Sequence, residues 1–73
     1  MLIVPDVERW IEEKETYTRT YLEWIKLSWI KELNSYHKRI ITLKTDKAKQ
    51  KYYNWVGIAL DSLFKIDIVL NAL

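Results

Sequence analysis

A chain with almost no glycine or proline has few residues that can stop a helix, and here Gly57 and Pro5 are the only examples of each. Tryptophan occurs four times and tyrosine five times in 73 residues. That is more large aromatic surface than so short a chain buries easily by itself. The combination predicts a small all-α protein that works through contact with other molecules.

The length allows at most one domain, which we assign to residues 1–73. A core of this size supplies only about 3–5 kcal/mol of net stability. Cysteine is absent and His37 is the single histidine, so neither a disulfide nor a Cys/His zinc site can reinforce the fold. We therefore predict a homo-oligomer, most simply a dimer. The lack of cysteine also favours a cytoplasmic location.

The first helix is predicted to begin near Pro5 and Asp6, where proline and an acidic residue suit a first helical turn. One apolar stripe then continues in steps of three or four through Leu22, Ile25, Trp29, Leu33, Tyr36, Ile40 and Leu43. Because the stripe keeps its phase across Asn34 and Ser35, we predict that the helix is continuous there. Asn34-Ser35 is a weak candidate for a break, and the threonines within residues 16–20 mark a second weak point.

A turn is predicted at residues 44–46, with Thr45 or Asp46 capping a second helix. That helix carries a heptad pattern of apolar residues at Tyr52, Val56, Ala59, Leu63, Ile66, Leu70 and Leu73. The favoured fold is a long antiparallel hairpin of two helices that dimerises into a four-helix bundle. A break at 16–20 would give three helices instead, and a monomeric three-helix bundle or a subunit that needs an unlike partner are the alternatives.

Apolar side chains outside the main stripe predict an interaction surface. An aromatic line flanks the stripe on the first helix, and aliphatic residues lie on the other flank. Such rows exceed the apolar area that a monomer usually exposes, and tryptophan and tyrosine are enriched at interface hot spots. The predicted protein interface consists of Trp10, Tyr17, Tyr21, Trp24, Leu27 and Ile30.

Charge is divided unevenly along the chain. Residues 6–23 hold six acidic and three basic side chains, whereas residues 36–53 hold six basic and one acidic. Cations interleaved with aromatic residues are typical of single-stranded nucleic-acid contact. The corresponding residues are Lys38, Arg39, Lys44, Lys47, Lys49 and Lys51. A dimeric nucleic-acid-binding protein is thus the alternative function, and a solvated turn is the simpler interpretation of the same lysines.

No pattern in the sequence indicates catalysis, a cofactor or a metal. Glu8, Glu12 and Glu15 share one helical face, but the Glu-x-x-His spacing of di-iron bundles is absent. His37 lacks a nearby carboxylate that would orient a general base, so we expect a surface histidine. The polar face of residues 54–73 is too poor in cations to favour a membrane surface. We therefore predict a non-enzymatic interaction or regulatory protein that self-associates and docks through its aromatic face.

Overall fold

A computed structural model describes residues 2–73 as three helices without a strand. Helix α1 covers Val7–Glu12, α2 covers Arg19–Thr42 and α3 covers Asp46–Ala72. The two long helices pack against each other as an antiparallel pair, and α1 packs on α3. The Cα atoms extend 47 Å along the long axis and 19 and 18 Å across it. The predicted all-α hairpin is confirmed, in its three-helix form.

Each helix begins at a residue whose side-chain oxygen accepts a hydrogen bond from the backbone N–H three positions later. These residues are Asp6 (3.2 Å), Thr18 (3.1 Å) and Thr45 (3.2 Å). Such a cap satisfies one of the unpaired N–H groups of the first turn. The turn predicted at residues 44–46 lies one residue earlier, at 43–45, and Thr45 rather than Asp46 is the cap.

The favoured continuous first helix is wrong, because the chain leaves the helix after Glu12 and re-enters it at Arg19. The break includes part of the threonine-rich segment, where Thr18 caps the new helix. A continuous helix would overhang its partner by about 20 Å. The break instead lets α1 fold back onto the pair, where Trp10 is only 4% exposed. The other predicted weak point, Asn34-Ser35, lies within α2 without interruption, as expected.

The buried core occupies the end of the hairpin that α1 covers. Its apolar members are Trp10, Leu22, Ile25, Trp29, Ala59, Ile66, Val69 and Leu70. Towards the α2–α3 turn the same stripes continue, but Leu33, Tyr36 and Tyr52 are only half-buried. Two helices bury one stripe each, and a third element is needed to close the sides. The half near the turn lacks that third element among residues 2–73.

Three polar contacts join separate segments at the covered end, and one of them is the hydrogen bond that Arg19 Nη2 donates to the carbonyl oxygen of Leu70 at 3.3 Å. The indole Nε1 of Trp29 donates to the carbonyl oxygen of Ile3 at 3.0 Å, which ties the N-terminal segment to α2. Lys26 Nζ lies 2.8 Å from Asp67 Oδ1 and joins α2 to α3. Both charged partners are partly exposed, so the pair contributes little free energy.

Trp10 should be essential for folding. Replacing a buried tryptophan with alanine costs about 3–5 kcal/mol, which is comparable to the whole net stability of a domain this small. We expect Trp10→Ala to be largely unfolded at 25 °C by circular dichroism, whereas Trp24→Ala, at a side chain 53% exposed, remains folded. Equal urea midpoints for the two variants would contradict the packing described here.

Candidate interaction surfaces

An aromatic row runs from the core to the surface at the covered end of the molecule. The ring centroids of Trp10 and Tyr17 lie 5.6 Å apart, those of Tyr17 and Tyr21 6.0 Å, and those of Tyr21 and Trp24 6.3 Å. The last two pairs are stacked, with interplanar angles of 23° and 27°. These spacings are within the range of favourable aromatic pairs. The four residues that the sequence placed on one line are therefore in contact.

The row is not uniformly accessible, which corrects one member of the predicted interface. Trp10 is buried and belongs to the core, so it presents no surface to a partner. Tyr17 lies in the connection between α1 and α2 and is half-buried, with its hydroxyl 3.4 Å from Glu13 Oε2. Tyr21 is 40% exposed and Trp24 53% exposed. The accessible part of the row is thus Tyr21 and Trp24.

The aliphatic members of the predicted interface extend this surface around α2. Leu27 follows Trp24 by three positions, and Ile30 follows Leu27 by three, so neighbouring side chains lie side by side on the helix. Leu27 is 55% exposed, while Ile30 is half-buried. We refer to Tyr21, Trp24 and Leu27 as the aromatic face.

The six predicted nucleic-acid contacts gather at the α2–α3 turn, which we call the basic end. Five of them are exposed, and Lys49 is half-buried. Within residues 2–73 the ion pairs are Arg9–Glu13, Lys26–Asp67 and Lys65–Asp61, none of which involves these six cations. Their charge is therefore not neutralised by neighbouring carboxylates.

The charge of the basic end favours phosphate binding, but its geometry does not. An open depression of about 280 Å³ is lined by Ser35, Lys38, Arg39 and Thr42. It lies at the C-terminal end of α2, where the helix dipole is negative, and Arg39 in the last turn already complements that dipole. On α3, Lys47 and Lys51 share a face by their spacing of four, but Lys49 lies on another. The cations surround the end rather than form one stripe.

A second aromatic cluster joins the two helices near the basic end. Tyr36 lies 6.3 Å from Tyr52 and 6.1 Å from Trp55 between ring centroids. Burial raises the pKa of Tyr36 from 10.0 to about 12, and the Glu32 carboxylate adds to the shift by hydrogen bonding and by repelling the phenolate. This aromatic cluster holds α2 and α3 together near the turn, where the buried core of the other end does not reach.

The outward side of α3 carries an apolar stripe that the sequence analysis did not assign to an interface. Its side chains recur in steps of four and three on the face turned away from α2. Tyr53 is 51% exposed, Leu60 53%, Phe64 66% and Ile68 38%. The signal was present in the sequence, since α3 is apolar on more than one side, but the heptad that faces α2 dominated the pattern.

The remaining candidates have a plain structural setting. Glu8, Glu12 and Glu15 are exposed, as is His37. Residues 2–73 contain no group of three or more acidic or histidine side chains placed to hold a metal ion. Nor does any helix in that part of the chain have the length and hydrophobicity needed to cross a bilayer. Comparison with protein-family models, curated proteins and solved structures found no match to this chain.

Tyr36 gives a pH-dependent test of the cluster. Its folded-state pKa is raised, so its contribution to stability is complete below pH 10 and is lost as pH rises from 10 towards 12. We expect spectrophotometric titration to show a late ionisation step near pH 12, which belongs to Tyr36. Tyr36→Phe should remove that late step. A late step that persists in Tyr36→Phe would contradict the assignment.

Proposed function

We propose that this chain is a small, non-enzymatic interaction protein that self-associates and docks on another macromolecule through its aromatic face. The observation that carries the proposal is the row of stacked rings that ends in Trp24, which is 53% exposed beside Leu27 at 55%. A cytoplasmic location is part of the proposal. A partner that covers this apolar surface removes it from water, and that burial favours binding.

The construction of the row supports a docking role. Tyr21 and Trp24 stack on each other, and Tyr17 connects them to the buried Trp10. Their rings are therefore ordered before a partner arrives, which lowers the conformational entropy lost on binding. Tryptophan and tyrosine also provide large contact areas with few rotatable bonds. A partner with an apolar groove flanked by polar groups fits this surface.

Replacing Trp24 with alanine should abolish docking without unfolding the chain. We expect affinity capture from an extract of the source organism to recover a protein with the wild type and lose it, by at least about tenfold, with Trp24→Ala, as at an interface hot spot. Ile41→Ala is the matched control, because Ile41 is 70% exposed on the same helix but lies near the basic end. Equal recovery with Trp24→Ala and Ile41→Ala would contradict docking through the aromatic face.

A second candidate function is nucleic-acid binding by the basic end as part of a dimer. It is favoured by the absence of carboxylate partners for Lys38, Arg39, Lys44, Lys47, Lys49 and Lys51 within the described residues. Binding of this kind releases counterions, so log affinity falls linearly with log salt concentration. The scatter of the lysines around α3 favours backbone contact over recognition of sequence.

The triple variant Lys47→Gln, Lys49→Gln, Lys51→Gln tests this candidate. We expect the slope of log affinity against log salt to fall by about two for single-stranded DNA, since each lost phosphate contact removes about 0.7. The control variant Lys14→Gln, Lys31→Gln, Lys65→Gln changes the net charge equally but lies outside the basic end. Fluorescence anisotropy measures both slopes. Undetectable binding of DNA and RNA by the wild type at low salt would eliminate this candidate.

A further inference from the structure

The outward stripe of α3 has a shape that suits packing against α3 of a second copy. It consists of Tyr53, Gly57, Leu60, Phe64 and Ile68, which all lie on the side of α3 that no other described element covers. A Cβ atom added at Gly57 would meet no atom within 4 Å, so this position is an open notch in the stripe. Phe64 is the most exposed aromatic side chain, at 66%.

The notch and the aromatic ring are placed symmetrically about the middle of the stripe. Its midpoint lies between Leu60 and Asp61, close to Ala59 at the centre of Asp46–Ala72. A two-fold axis at that point sets Gly57 of one copy opposite Phe64 of the other, and Tyr53 opposite Ile68. Two such antiparallel helices overlap along their whole length and pack a large side chain into each notch.

Charge selects the antiparallel orientation. The basic end lies within residues 36–53, which hold six basic side chains and one acidic side chain. Residues 6–23, at the opposite end, hold six acidic and three basic side chains. Antiparallel pairing along a molecule 47 Å long brings the basic end of each copy to the acidic end of the other. Parallel pairing brings the two basic ends together, where like charges repel.

The chain exposes more surface than a compact monomer of its mass, by about the area that one partner covers. The chain exposes 5561 Å², about 750 Å² more than the approximately 4800 Å² expected for a compact monomer of 8.9 kDa. A standard interface covers about 800 Å² on each partner. The excess is thus of the size that a second copy would cover.

We propose that the outward stripe of α3 is the surface through which two copies of this chain pair, antiparallel and centred near Leu60. This inference rests on the self-association within the proposed function and names the surface that carries it. The aromatic face of α2 then remains free for an unlike partner. The two apolar surfaces therefore have separate roles.

Gly57→Gln is the decisive variant, because its side chain fills the notch and its Cβ atom meets no other atom of the monomer within 4 Å. Glutamine has a higher helix propensity than glycine, so the fold does not weaken. We expect sedimentation equilibrium, over a concentration series of about 1–500 µM, to show that Gly57→Gln and Phe64→Gln each raise the dimer dissociation constant at least about tenfold. Trp24→Gln, on the aromatic face, and Asn34→Gln, on the exposed side of α2, are controls and should change it less than about twofold.

The orientation is tested by a single spin label on each chain. The sequence contains no cysteine, so Lys47→Cys provides a unique attachment point in the folded protein. Antiparallel pairing centred near Leu60 places the two labels about 40 Å apart, from the helical rise of 1.5 Å per residue. Parallel pairing places them near the roughly 10 Å spacing of packed helices and would overturn the proposed arrangement.

The possible failures can be told apart. If the wild type forms a dimer that Gly57→Gln and Phe64→Gln leave unchanged while Trp24→Gln dissociates it, the stripe is not the interface but self-association stands. A wild type that remains monomeric across the whole series overturns both the interface and the self-association. Retained circular dichroism in each variant ensures that a loss of dimer is not a loss of fold.

Discussion

The packing of Trp10 against the long helical pair is the interaction on which the rest of the structure depends. Its indole is 4% exposed and joins the cluster formed by residues of α2 and α3. To reach that position the chain must leave the helix after Glu12 and start again at the Thr18 cap. A hairpin alone cannot close its own sides. The short α1 closes one end and thereby determines which end has a true core.

This asymmetry explains why the two ends of the hairpin differ in burial. At the end covered by α1, Leu22, Ile25 and Ile66 are fully buried. Near the α2–α3 turn, the cluster of Tyr36, Tyr52 and Trp55 holds the helices together, although Trp55 is still 44% exposed. Nothing among residues 2–73 covers the outward side of α3.

Periodicity predicted the two long helices, the turn at residues 44–46 and the inward stripes, because each depends on local spacing. The continuous passage through Asn34 and Ser35 was predicted for the same reason. The fold-back of α1 was not the favoured prediction. It depends on the burial of Trp10 against residues that are distant in the sequence, and helix propensity describes only local preferences. That is also why Trp10 was assigned to an interface. The outward stripe of α3 was overlooked because only the structure tells which of two apolar faces meets α2.

Small-angle X-ray scattering of the wild-type chain tests antiparallel pairing, because it reports mass and length together. We predict a concentration-dependent rise to twice 8.9 kDa, with a maximum dimension close to that of one chain, whose Cα atoms extend 47 Å. Side-by-side antiparallel overlap adds width and almost no length. A particle that stays at 8.9 kDa at every concentration, or one that doubles in length as it doubles in mass, would contradict the account.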